Sequence, residues 1–113
     1  MHPSLLVLKV RDLAQSRAFY ELFGLSFTEH RHGSGPAHCC STDLGFPLEL
    51  YPATQPAQNY VALGFELPAL QEHRQRLVDA GVHCSAISDA GFGKFFVVRD
   101  PDHNRIEIYE QAA

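Results

Sequence analysis

Two hydrophobic rhythms alternate along this chain, and they do so in the same order twice. Leu5 to Val10 alternates with a period of two, placing Leu6, Leu8 and Val10 on one face and Leu5, Val7 and Lys9 on the other. Asp12 then offers an N-cap. Leu13 to Phe23 follows as an amphipathic helix presenting Phe19, Tyr20 and Phe23, with Gly24 as its stop. Strands are expected around Ser26–Arg31 and His38–Ser41, separated by Gly33-Ser34-Gly35-Pro36, and Pro47 to Tyr51 closes the half. Residues 53–59 carry Pro, Thr, Gln and Asn with little to bury and read as a linker.

The second half repeats the order. Tyr60 to Leu67 sets Val61, Leu63, Phe65 and Leu67 against Tyr60, Ala62, Gly64 and Glu66. Leu70 to Ala80 is a helix with Leu70, Leu77 and Val78 inward, stopped by Gly81. Val82–Ile87 and Lys94–Arg99 read as strands around the Gly91-Phe92-Gly93 loop. Asp100 to Asn104 is a tight turn, and Arg105 to Tyr109 is the last strand. The helix-ending glycines lie 57 residues apart, and Glu49 and Glu107 lie 58 apart. This is an internal duplication of a βαβββ unit in one α+β domain spanning residues 1–113. Module one covers about 4–52 and module two about 60–110.

In each half a single carboxylate sits between aliphatic residues on the last strand, in Leu48-Glu49-Leu50-Tyr51 and again in Ile106-Glu107-Ile108-Tyr109. Alternation forces each glutamate onto the face opposite its aliphatic neighbours. One face of each sheet therefore covers a helix, and the other, mixed in character, is left to line something.

Composition narrows what that something is. Of 113 residues, 45% are hydrophobic and 19% charged, a globular balance, and the net charge of −4 comes with no basic stripe for nucleic acid. No apolar run approaches the roughly 20 residues that span a bilayer. Met1-His2-Pro3-Ser4 lacks the pattern of an export signal, so the expected location is the cytoplasm. Cys39, Cys40 and Cys84 show no CxxC spacing and cannot all pair; they read as small buried thiols.

The chain resembles the vicinal oxygen chelate superfamily, which includes glyoxalases, bleomycin-resistance proteins, extradiol dioxygenases and fosfomycin-resistance enzymes. The residues that carry the resemblance are Val10-Arg11-Asp12-Leu13 with Ser16 and Phe19-Tyr20, Phe23-Gly24-Leu25, Asp79-Ala80-Gly81-Val82, and above all Asp100-Pro101-Asp102-His103-Asn104-Arg105-Ile106-Glu107. The stretch from Phe19 to Gly24 is one residue shorter than usual. The resemblance implies two βαβββ modules with curved mixed sheets around a cavity, and a homodimer.

It also implies a metal site with one ligand on the first and one on the last strand of each module. The last-strand positions match Glu49 and Glu107. The first-strand positions fall on Leu5 and Tyr60, so both family histidines are missing. Leucine donates nothing, and a phenol binds metal well only when ionised. The expectation is therefore no family-type metal site and no cofactor, with weak divalent metal on the two carboxylates as the alternative. His30, His32 and His38 are expected near loops, as a cluster with at most incidental metal affinity. The expected inner wall holds Leu5, Val7, Glu49, Tyr51, Tyr60, Ala62, Phe95, Val97 and Tyr109, with Phe92 as a lid. Two functions stay open. One is a metal-independent protein binding a small aromatic or cationic ligand. The other is a glyoxalase-like lyase or isomerase, or a dioxygenase-like enzyme, using Glu49 and Glu107. In the second, an apolar wall with a weak partner would raise the pKa of Glu107 and make it the general base; paired with Lys9 or Arg105, or bonded to a neighbouring strand, Glu107 is structural instead.

Overall fold

The computed structural model describes residues 1–55, 61–91 and 93–111. Two units follow each other along the chain, Met1–Asn59 and Tyr60–Ala113. In the first, β1 (Leu6–Val10) leads into α1 (Leu13–Glu21), then β2 (Thr28–His30), β3 (His38–Ser41) and β4 (Leu48–Pro52). In the second, β5 (Ala62–Leu67) leads into α2 (Leu70–Asp79), then β6 (Ser88–Asp89), β7 (Lys94–Arg99) and β8 (Arg105–Glu110). The duplication holds strand for strand: the sheet orders are β1-β4-β3-β2 and β5-β8-β7-β6. Three strands meander antiparallel. The last returns beside the first in parallel, which the intervening helix makes sterically feasible.

Alternation puts the aliphatic face of each sheet under its own helix. In the first unit Leu8, Val10, Leu48 and Leu50 are fully buried, together with Phe19 and Tyr20 of α1. The Phe19 ring meets Tyr20 edge-on at 5.1 Å and Phe23 at 5.3 Å. In the second unit Phe96, Val98, Ile106 and Ile108 are buried, with Leu70 and Leu77 of α2. Each such side chain contributes about 1.5–3 kcal/mol of hydrophobic stabilisation.

The helix ends show where the two copies have drifted. Asp12 caps α1, its carboxylate accepting the Gln15 N–H at 2.9 Å. The corresponding residue of α2 is Ala69, which has a left-handed backbone at φ 51° and no side chain able to cap. At the other end of α2 the Val82 N–H bonds the Leu77 carbonyl and the Gly81 N–H bonds that of Val78, with Gly81 at φ 86°. This paired closure is the reason a glycine stands there.

One expected element is corrected. Val82–Ile87 is not a strand; only Ser88–Asp89 pairs in that region. The cause is Arg74 of α2, whose guanidinium takes the Ser85 carbonyl at 2.8 Å and that of Cys84 at 3.4 Å. With its carbonyl turned to the helix, Ser85 receives the Val97 N–H on its hydroxyl instead, at 2.8 Å. Arg17, at the equivalent place in α1, takes the Phe27 carbonyl at 2.8 Å, and β2 is shorter than the expected Ser26–Arg31. The expected lid Phe92, Tyr60 and the second half of the linker lie outside the described residues.

The turn before β8 is organised by one buried carboxylate. Asp100 accepts the N–H groups of Asp102 and Asn104 on one oxygen, at 2.9 and 2.8 Å, and the Asn104 amide on the other at 2.8 Å. Substituting Asp100→Ala should therefore cost roughly 3 kcal/mol, because buried donors lose their acceptor, against about 1 kcal/mol for the exposed cap Asp12→Ala. Urea unfolding of both variants checks the ranking; an equal or larger loss for Asp12→Ala would refute it.

Candidate functional site

The register fixes which side chains share the face turned away from each helix. In the first unit Lys9 stands beside Tyr51, and Val7 beside Glu49. Glu49 in turn faces Cys40, Cys40 faces Thr28, and His38 faces His30. In the second unit Glu66, Tyr109, Phe95 and Ser88 form one cross-strand row, and Gly64, Glu107 and Val97 form the next. Val7, Glu49 and Tyr51 thus share one sheet face, and Ala62, Phe95, Val97, Glu107 and Tyr109 share the equivalent face of the other. Leu5 precedes β1 and is exposed.

The same positions in the two units carry an aromatic pair. Tyr51 stacks on His38 at 4.1 Å between ring centroids, and Tyr109 stacks on Phe95 at 5.2 Å. His38, which the sequence places near loops, is only 1% exposed. Its ring also lies 5.0 Å from that of His32 and 6.0 Å from that of His30. His38 and Cys40 are wall residues that sequence reasoning missed. The signal was present, since they stand 57 residues before Phe95 and Val97, which the same reasoning did assign to the wall.

The two glutamates live in different surroundings. Glu107 is fully engaged: Arg105 donates to one oxygen at 2.8 Å and the Tyr109 hydroxyl to the other at 2.8 Å. Those two partners, Arg105 first, hold its carboxyl below the ordinary value of 4.5, and the same contact pushes the Tyr109 phenol up. The expectation of a raised pKa at Glu107 is thus reversed, because hydrogen bonds to the charged form outweigh desolvation. Glu49 has no such donors. Its neighbour is His38 Nε2 at 3.7 Å, and that nitrogen lies 3.2 Å from the Tyr51 hydroxyl.

These surroundings also test the donor set for a metal ion. Leu5 supplies no ligand, Tyr60 lies outside the described residues, and both Glu107 oxygens already accept hydrogen bonds. Among the described residues no three His, Cys, Asp or Glu side chains are arranged to hold an ion. Nor do the thiols offer a nucleophile: burial raises the pKa of Cys39, Cys40 and Cys84, with the Glu49 charge adding to the rise at Cys40. Two clefts of about 330 and 340 Å³ lie along α2 and β6 and contain none of the predicted site residues.

Two outcomes follow from these charges. A depressed carboxyl pKa stabilises the fold at pH values above about 4.5, and that stability is lost as pH falls through the lower, folded-state value. Glu107→Gln should thus reduce the loss of stability between pH 7 and pH 3, read by urea unfolding; an unchanged loss would contradict the assignment. Because Glu49 opposes thiolate formation nearby, Glu49→Gln should speed alkylation of Cys40 by iodoacetamide at fixed pH. Equal rates in the two proteins would mean that the Glu49 charge does not act on this thiol.

No curated protein sequence matches this chain. Among solved structures it is similar to TnmS3, an antibiotic binding protein from Streptomyces sp. CB03234, with a TM-score of 0.82 and 19% identity over 99% of this chain and 97% of that one. It is also similar to a lactoylglutathione lyase from Agrobacterium tumefaciens, with a TM-score of 0.73 and 19% identity over 96% and 92% of the two chains. The fosfomycin resistance protein FosX from Listeria monocytogenes gives a TM-score of 0.73 and 17% identity over 99% and 93%. Likeness at these identities speaks for the fold. The family model that matches residues 3–108, nearly the whole chain, says more: this protein belongs to the Glyoxalase/Bleomycin resistance protein/Dioxygenase superfamily.

Proposed function

We propose that this chain binds a small aromatic or cationic compound against the carboxylate-bearing faces of its sheets, without a family-type metal site. The observation that carries the reading is the stacked aromatic pair beside a glutamate at the same register position in both units. Stacked rings offer a flat apolar platform, and a polar group at their edge fixes orientation. Glu49 and Tyr51 serve the first unit, with Leu5 and Val7 on its apolar side. Glu107, Phe95, Val97 and Tyr109 serve the second, beside the small residue Ala62. Tyr60 and Phe92 belong to the proposed wall on sequence grounds. The similarity to an antibiotic binding protein and a fosfomycin resistance protein is in keeping with a binding role. The family resemblance supports a homodimer as the acting form.

A second reading, a glyoxalase-like lyase or isomerase using Glu49 and Glu107, draws on one observation: both carboxylates occupy equivalent places on β4 and β8. Metal analysis separates the two. Protein purified without chelator should hold substoichiometric metal, in the wild type and in Glu107→Gln alike; stoichiometric metal lost in that variant would favour the enzyme. For the binder, a ligand present at a hundred times its Kd should raise stability by about 2.7 kcal/mol. A thermal-shift screen of aromatic and cationic compounds that moves the transition for none would remove the reading's main support.

A further inference from the structure

The internal duplication allows a comparison that narrows the ligand. In the second unit the last-strand glutamate is satisfied from within, by the Arg105 guanidinium and the Tyr109 hydroxyl. Arg105 stands two residues before Glu107. Two residues before Glu49 stands Pro47, which has no charge and no donor. The tyrosine is diverted as well. Pro36 presents a carbonyl 3.2 Å from His38 Nδ1, and a carbonyl only accepts, so Nδ1 carries the proton of the neutral ring. Nε2 is then a lone pair, and the Tyr51 hydroxyl donates its one proton to it at 3.2 Å. In that neutral tautomer Nε2 offers no proton to Glu49, 3.7 Å away.

Among the described residues no hydrogen bond reaches the Glu49 carboxylate, although its side chain is only 20% exposed. Among the described residues no buried side-chain oxygen lacks a partner, so the Glu49 oxygens meet solvent, and an incoming donor would replace water there. The Tyr51 oxygen, its proton spent on His38, presents only acceptor lone pairs beside it. Lys9, the cation on the same face, is placed with its ammonium 4.9 Å from the Tyr51 ring centroid. The burial-raised Cys40 pKa, which the Glu49 charge raises further, reports the same negative field.

We infer that the Glu49–Tyr51 face of the first unit takes a flat organic cation bearing an amidinium or guanidinium group, whose N–H donors occupy the place that Arg105 fills in the second unit. The ligand's forked N–H groups meet the carboxylate and the Tyr51 oxygen. This rests on the ligand-binding reading of the same face and specifies its chemistry: donors and positive charge, not phosphonate or carboxylate acceptors.

The test titrates three probes of one shape into the full chain, with backbone amide chemical shifts as the readout: benzamidinium, neutral benzamide and benzoate. Benzamidinium should shift the amides of β3 and β4 and bind at least about tenfold more tightly than benzamide, as a charge-assisted pair requires. Glu49→Gln should lower benzamidinium affinity by about tenfold or more and lower benzamide affinity by less. Pro47→Arg, which restores the internal cation, should also weaken benzamidinium, so the test does not hang on one variant. Benzamide or benzoate binding these strands as tightly as benzamidinium would overturn the inference while leaving the ligand-binding reading intact. So would wild-type benzamidinium affinity in both variants. If none of the three probes moves these amides, the ligand-binding reading falls with it.

Discussion

Parallel pairing of the first and last strands within each unit is the constraint on which the rest depends. It sets Leu6 to Val10 beside Leu48 to Pro52 in one unit and Ala62 to Leu67 beside Arg105 to Glu110 in the other. Because side chains alternate, this pairing sends Leu48, Leu50, Ile106 and Ile108 under the helices and leaves Glu49, Tyr51, Glu107 and Tyr109 on the opposite face. A shift of one residue in either pairing would bury the carboxylates and expose the core. The site and the core are two sides of one register.

Each helix is held over its sheet by more than apolar contact. Arg17 and Arg74 reach from α1 and α2 to carbonyls of the segments that follow. These guanidinium–carbonyl bonds tie each helix to the segment after it, where the following strand is short in both units. A charge-assisted bond of this kind is stronger than a neutral backbone one.

Much of this was legible in the sequence. The βαβββ order, the bounds of His38–Ser41 and Lys94–Arg99, and the faces of the first and last strands follow from period-two alternation, which register enforces. The segment 82–87 was not legible, because its apolar pattern suits a strand and nothing local says that Arg74 will take its carbonyls. Within the site, the shared faces of β4, β7 and β8 could be read, and so could the pairing of Glu107 with Arg105, two residues away on the same face; the Tyr109 hydroxyl on the other Glu107 oxygen could not. His38 was passed over because its flanking Gly33-Ser34-Gly35-Pro36 suggested loop surroundings, whereas the cross-strand stack with Tyr51 buries it.

Duplication supplies an internal control that a single module lacks. Both units follow one strand order, so matched positions can be compared directly. Arg105 against Pro47, and Phe95 against His38, alter the same two rows of side chains. In one unit phenol and guanidinium close on the carboxylate. In the other the phenol turns to an imidazole and the guanidinium is gone, so the carboxylate keeps its charge with no internal donor. Packing gives no reason for that second state, since the aliphatic core beneath is equally buried in both.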